Sequence, residues 1–292
     1  MIRTEANRIV FEGSLKSDVR SATVCLFNLI SKSGYKDVVL DFSGVSYVDA
    51  SIIMPILSYV AYYKLNEVEF SFIAPLDDTL MRLFVNANWA HYIDSTNYRI
   101  NIGRRANNLP AIQFGDGDAQ HDAVNKAMEI LMETIKVVDR KQLKALEWAL
   151  NEITDNVLNH ADSAIGGFVQ IQSFPRKREV SFYVVDAGLG IPYTLRHALP
   201  QLTSDTDALD RAIREGVTRN KSTNQANGLF GTFKCCEVSG GYFNIRSNNA
   251  VLEYKFGRLS ITSDNIPFRG TYICATIGYD TDKCNCSPFS RA

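Results

Sequence analysis

The chain has 292 residues, with 31 Lys and Arg against 32 Asp and Glu, a net charge of −1 and 46% hydrophobic residues. This composition excludes a disordered tail, a collagen-like chain and a supercharged nucleic-acid binder, and the balanced charge leaves no footprint for duplex DNA. No apolar run approaches the roughly 20 residues of a membrane helix, and Met1-Ile2-Arg3-Thr4-Glu5 is no apolar leader, so the six cysteines read as reduced thiols of a cytoplasmic protein off the membrane.

Length predicts two domains. In the first, residues 8–11 read as a strand, 18–31 as a helix and the β-branched run 37–45 as a buried strand. Asp49 stands at an N-cap position before a mostly apolar helix over 50–64. A strand over 67–74 and a helix over 77–87, capped by Asp77, complete an alternating α/β pattern, a mixed sheet packed by helices. Residues 1–103 form this domain. The Asn, Pro and Gly of 104–118 predict a linker.

The second domain, 119–280, begins with helices over 121–135 and 141–161. A hairpin follows, with strands over 167–174 and 179–186 and a turn at 175–178. Residues 191–227 are polar and irregular, the text of a lid. A helix over 228–239 ends at Gly240-Gly241. Strands over 241–247, 253–261 and 270–277 close an α+β sandwich, and 281–292 is a tail.

Chemistry concentrates in three segments. On the helix LKALEWALNEITDNVLNHA, Leu143, Leu146, Leu150, Ile153 and Val157 make one core face. Glu152, Asn156 and Asn159 lie within about 60° of one another on another face. A solvated face is the ordinary reading of such a stripe, but Asp, Asn and His are poor helix formers for that purpose. An Asn oxygen suits Mg²⁺, and a carboxylate one turn away can act on a water or hydroxyl near a terminal phosphate. Second, Asp186-Ala187-Gly188-Leu189-Gly190 follows an apolar strand. A strand-end carboxylate accepts the amino protons of adenine and rejects guanine, and glycines let backbone approach a flat base. A glycine turn with no ligand would look the same. Third, Gly228-Leu229-Phe230-Gly231-Thr232 opens a helix whose free N–H groups suit phosphate, and Thr271 begins the last strand with a hydroxyl to offer.

In this order the segments resemble the Bergerat-fold (GHKL) ATPases: gyrase, the heat-shock chaperone, histidine kinases and MutL. The resemblance covers roughly 119–279. It implies ATP and Mg²⁺ as cofactors, Asn156 in the place of the metal ligand and Glu152 in that of the general base. Asp186, Gly188 and Gly190 match its adenine box, Gly228 and Gly231 its second glycine box, and Gly270-Thr271 its last strand. It also implies an ATP lid at 191–227, from which Arg219 and Lys221 would reach phosphates. NEITDNVLNHA is most similar to the serine kinases that act as anti-sigma factors. DVVLDFSGVSYVDASII is similar to the STAS domains that such kinases phosphorylate. Ser51 then falls at the phosphoacceptor position, although Ile52 replaces the usual following glycine. In its own right, Ser51 sits in the first turn after a cap, where helix N–H groups would stabilise an added phosphate.

Other patterns are weaker. His121-Asp122 is faintly similar to a histidine-kinase acceptor, but too few residues separate it from Asn156 for a dimerisation hairpin. There is no P-loop, and Cys284 and Cys286 lack a third ligand for zinc. The sequence therefore predicts an ATP-binding signalling protein that either hydrolyses ATP or phosphorylates serine or threonine of a protein partner, a regulatory factor or STAS-type protein. The alternative is a nucleotide-gated switch with little turnover. A homodimer is compatible with either.

Overall fold

The computed structural model describes residues 1–16, 19–101, 108–134, 140–214 and 228–279. Contacts divide the chain into two compact units, one of residues 1–103 with 110–112, the other of 104–109 with 113–292. Among the described residues no helix is long and apolar enough to cross a membrane.

The first unit holds a four-stranded mixed sheet, β1 (Ile2–Glu5), β2 (Arg8–Leu15), β3 (Asp37–Val48) and β4 (Glu69–Ile73), in that spatial order. β1 pairs antiparallel with β2, whereas β2/β3 and β3/β4 are parallel. Parallel neighbours need crossovers. These are α1 (Val19–Phe27), which ends in a π-turn at Asn28–Lys32, and α2 (Ala50–Lys64). The helices α3 (Asp78–Asn86) and α4 (Trp89–Ile93) follow β4. Asp49 caps α2 by accepting from the Ser51 N–H, and Asp77 caps α3 by accepting from Thr79 and Leu80. The core is aromatic: Phe42 stacks on Phe11 with centroids 4.2 Å apart and touches Phe72 and Phe84, which meets Trp89 edge-on.

A strand forms where the sequence predicted a linker, β5 (Asn108–Phe114), of which 110–112 count with the first unit and the remainder with the second. Leu109, Ala111 and Phe114 are buried, and Pro110 is tolerated because β5 is a sheet edge. Helices α5 (Gly117–Thr134) and α6 (Arg140–His160) lead to the hairpin β6 (Gly167–Phe174) and β7 (Glu179–Asp186), at the bounds expected. The sheet order is β5-β6-β7-β9-β8, where β8 is Tyr242–Lys255 and β9 is Arg258–Gly278. β5 runs antiparallel to β6, because Asn108 takes the Ser173 N–H while Gln113 donates to the Ile165 carbonyl.

The strand pairing explains the layers. Ile171, Phe182, Ala275 and Phe243 stand in register across the sheet, and Phe243 meets Phe233 of α9 (Gly228–Val238). This is the apolar, helix-covered face. Gln170, Tyr183, Cys274 and Asn244 line the other face, the period-2 alternation of an antiparallel sheet.

Two expectations change. Residues 191–227 do not begin as an irregular lid: α7 (Ile191–Ala198) and α8 (Asp205–Ala212) occupy the first part. Ser204 caps α8 by accepting from Asp207 N–H, and Ala208 and Leu209 are fully buried. Short helices with few apolar residues give weak periodicity, which hid them. The three closing strands form instead as two long ones. β8 cannot be straight, since the Asn244 side chain donates to the Leu252 carbonyl at 2.9 Å, whereas eight extended residues would span roughly 26 Å. The strand folds back at Asn248, which has φ +50 and sits between two register shifts.

Candidate functional site

The second unit brings the three segments of the sequence together. α6 carries Glu152, half-buried, Asn156, half-buried, and Asn159, exposed, while Ile153 and Val157 on its other side enter the core. α9 packs along this helix through two glycines. A Cβ on Gly231 would lie 2.3 Å from the Trp148 ring, and one on Gly228 would lie 2.5 Å from Glu152 Oε2. The N-terminus of α9 therefore abuts the Glu152 carboxylate. At the other end of α6, the Ala161 carbonyl accepts from Leu189 N–H at 2.7 Å and lies 2.0 Å from where a Gly188 Cβ would be. Asn156 lies between these two contacts, about 6 Å along the axis from Glu152.

Asp186 ends β7 and is 2% exposed. Its carboxylate accepts from Gly188 N–H at 2.8 Å and from the backbone of Thr271. Two backbone donors leave part of its acceptor capacity unmet, so burial dominates and pushes its pKa up to about 7. Gly270, φ +76, is held against it: a Cβ there would be 2.6 Å from Asp186 Oδ1. Burial, and then the neighbouring Asp155, also raise the pKa of Glu152, and burial raises that of Asp155.

The sequence assigned Gly188 and Gly190 to the close approach of backbone to a flat base, and Gly228, Gly231 and Gly270 to the second glycine box and the last strand; the structure shows a further role for all five. At Gly188, Gly190, Gly228, Gly231 and Gly270 the space that a Cβ would fill is taken by the protein's own Ala161, Asn248, Glu152, Trp148 and Asp186. The glycines draw the walls of the site together. Thr232 is likewise fully buried, with its hydroxyl donated to the Gly228 carbonyl, so it faces the helix interior. Thr271 is 9% exposed, its hydroxyl 3.2 Å from that of Ser247. Arg219 and Lys221 lie outside the described residues, as does the 281–292 tail with Cys284 and Cys286.

Sequence reasoning missed Ser247. Its hydroxyl donates to the Gly270 carbonyl at 2.8 Å and accepts from Ile191 N–H at 2.9 Å, tying β8 to the Asp186–Gly190 turn. Asn248 Oδ1 is buried beside Gly190 with no hydrogen-bond partner among the described residues. The only signal was Ser-Asn-Asn as turn text. Thr154 was also missed. It is fully buried, with its hydroxyl accepting from Gln120 at 2.7 Å and so joining α5 to α6.

In the first unit Ser51 is half-buried in the first turn of α2. Its N–H, which the sequence offered to a phosphate, is held by Asp49 Oδ1 at 2.8 Å. Pro55 has no N–H for the Ser51 carbonyl, so that carbonyl lacks its ordinary helical donor.

Among the described residues no three His, Cys, Asp or Glu side chains cluster as a metal site. No protein-family model matches this chain, and no curated protein matches it.

Proposed function

We propose that the second unit is an ATP-binding domain of the Bergerat type and that the protein is an ATP-dependent signalling protein. The observation that carries this reading is Asp186: a fully buried carboxylate with two backbone donors, set beside glycine turns, in the same unit as a half-buried carboxylate and amide on α6. A buried acceptor left short of donors is costly. The exocyclic amine of adenine, a donor on a planar base, relieves that cost. Guanine presents an acceptor at the same position and does not.

The remaining residues take their roles from position. The α9 N-terminus offers N–H groups to phosphate oxygens, and Gly228 keeps it against Glu152. Glu152 is the general base, and its raised pKa makes the ionised form a stronger base. The donor set fits Mg²⁺, which takes few protein oxygens and keeps its own waters. Asn156 would hold it, and the ion would neutralise charge across the phosphate oxygens. Asn159, exposed one turn on, borders the same stripe.

The first unit supplies the STAS-like half, with a protein partner of regulatory or STAS type and Ser51 as a candidate acceptor. Incubation with Mg²⁺ and γ-labelled ATP, alone and with candidate partner proteins, separates the outcomes. Released phosphate marks an ATPase, and label on serine or threonine marks a kinase. Calorimetric binding without either marks a switch. Absence of any heat with millimolar ATP and Mg²⁺ overturns the reading.

A further inference from the structure

We infer that the sheet face away from α9 carries a second binding site, in which Arg246 and Tyr272 grip the carboxylate of a small ligand. β8 and β9 set these two residues directly opposite each other, so their Cβ atoms lie about 4.5–5.5 Å apart on one face. It is the face of Asn244 and Cys274, each two residues along its strand. Asp186 is four residues on from Phe182 and ends its strand on the helix-covered face. The two sites therefore lie on opposite sides of the sheet, and this inference does not rest on nucleotide binding.

Buried donors in a folded protein nearly always find acceptors. Here two fail together. Arg246 Nε and Tyr272 Oη are both buried, and neither has an oxygen or nitrogen partner among the described residues. Tyr272 is 1% exposed. The Cys274 thiol beside its hydroxyl is a weak acceptor. Burial raises the pKa of this phenol well above its ordinary value, so it keeps its proton and remains a donor. The Arg246 guanidinium is always charged. Its ion pair runs from Nη1 to Asp264 Oδ2 at 3.8 Å, beyond hydrogen-bond length.

The ligand class follows from the donors left over. Asp264 stands at the Nη1 edge of the guanidinium. The other edge, Nε with Nη2, is the one that receives a carboxylate or phosphate side-on through two parallel N–H bonds. The phenol O–H adds a donor from the facing strand. A guanidinium and a phenol acting as donors suit a group that only accepts, and they repel a cation. Asp264 offsets part of the positive charge, which favours a singly charged carboxylate over a doubly charged phosphate. The Arg246 side chain is 20% exposed, so it stands between the buried phenol and solvent, where a small ligand can reach it.

The test is the melting temperature of the full chain against acetate and, separately, inorganic phosphate, at constant ionic strength held with chloride. The expected result is a saturable rise with acetate at a dissociation constant on the order of 1–10 mM, within the ceiling per atom for so small a ligand. Tyr272→Phe removes a hydroxyl that lacks a good acceptor, so without acetate the melting temperature stays or rises. Arg246→Lys keeps a charge beside Asp264 but loses the fork. Each variant weakens acetate binding at least about tenfold while the far-ultraviolet dichroism is unchanged. The inference is overturned if acetate gives no saturable rise up to about 100 mM, or if both variants bind it within about twofold of the parent. Tighter binding of phosphate than of acetate overturns the ligand class. A lower melting temperature of Tyr272→Phe in acetate-free buffer also overturns the inference, since the hydroxyl would then already be satisfied.

Discussion

At the residue scale the decisive group is Asp186. Its carboxyl rises from 3.8 to about 7 on burial, so the folded state favours the protonated acid. The stability this contributes is full below about 3.8 and is lost as pH rises through about 7. The melting temperature of the nucleotide-free protein should therefore fall more between pH 5.5 and 8 than that of Asp186→Asn, which has no proton to lose. Binding a donor at the carboxylate stabilises its charged form. ATP binding near pH 6.5 should release a proton, seen as a heat that varies with the ionisation enthalpy of the buffer. Asp186→Asn should weaken ATP binding about 100-fold, the ~3 kcal/mol scale of a hydrogen bond to a buried charge. Glu152→Ala should keep binding within a few fold and lose turnover. Equal loss of both functions in either variant would contradict these roles. Ser51 is a different case, because Asp49 holds its N–H. A phosphate there would meet a carboxylate as well as the helix dipole, so label on Ser51 should lower the stability of α2.

Elements are held by close approach as much as by apolar area. Gly231→Val forces carbon into the space of the Trp148 ring and should cost about 1–3 kcal/mol, read from denaturant midpoints, as overpacking does. Gly117→Ala in α5 is the control: a Cβ there meets nothing within 4 Å and the backbone angle is ordinary. It should be neutral or stabilise by about 0.4–1 kcal/mol. These pairs also show what could be read beforehand. The caps Asp49 and Asp77, the hairpin at residues 167–186 and the core stripe of α6 are local patterns, and local chemistry specifies them. α7 and α8 fall in a stretch that the sequence gives as irregular, because each has two turns and few apolar residues. β5 was misread as linker because Pro110 and Asn108 read as loop residues until the sheet edge that accommodates them exists.

For the whole molecule, labelling can separate transfer within a chain from transfer between chains. If the serine that takes phosphate belongs to another molecule, the rate per chain rises with protein concentration. We expect that rise, and a concentration-independent rate would mean transfer within one chain. The sequence by itself determined the mixed α/β and α+β class, the elements with strong periodicity or caps and the three segments that carry polar chemistry, because periodicity, caps and turn residues act over a few positions. Only the tertiary structure decided that Gly228 lies against Glu152 and Gly188 against Ala161. It also decided that Ser247 links Gly270 to Ile191 and that β8 folds back at Asn248. All but the last join residues separated by tens of positions. What fixes them is steric fit and the pairing of buried polar atoms in the packed protein, which no short stretch of sequence encodes.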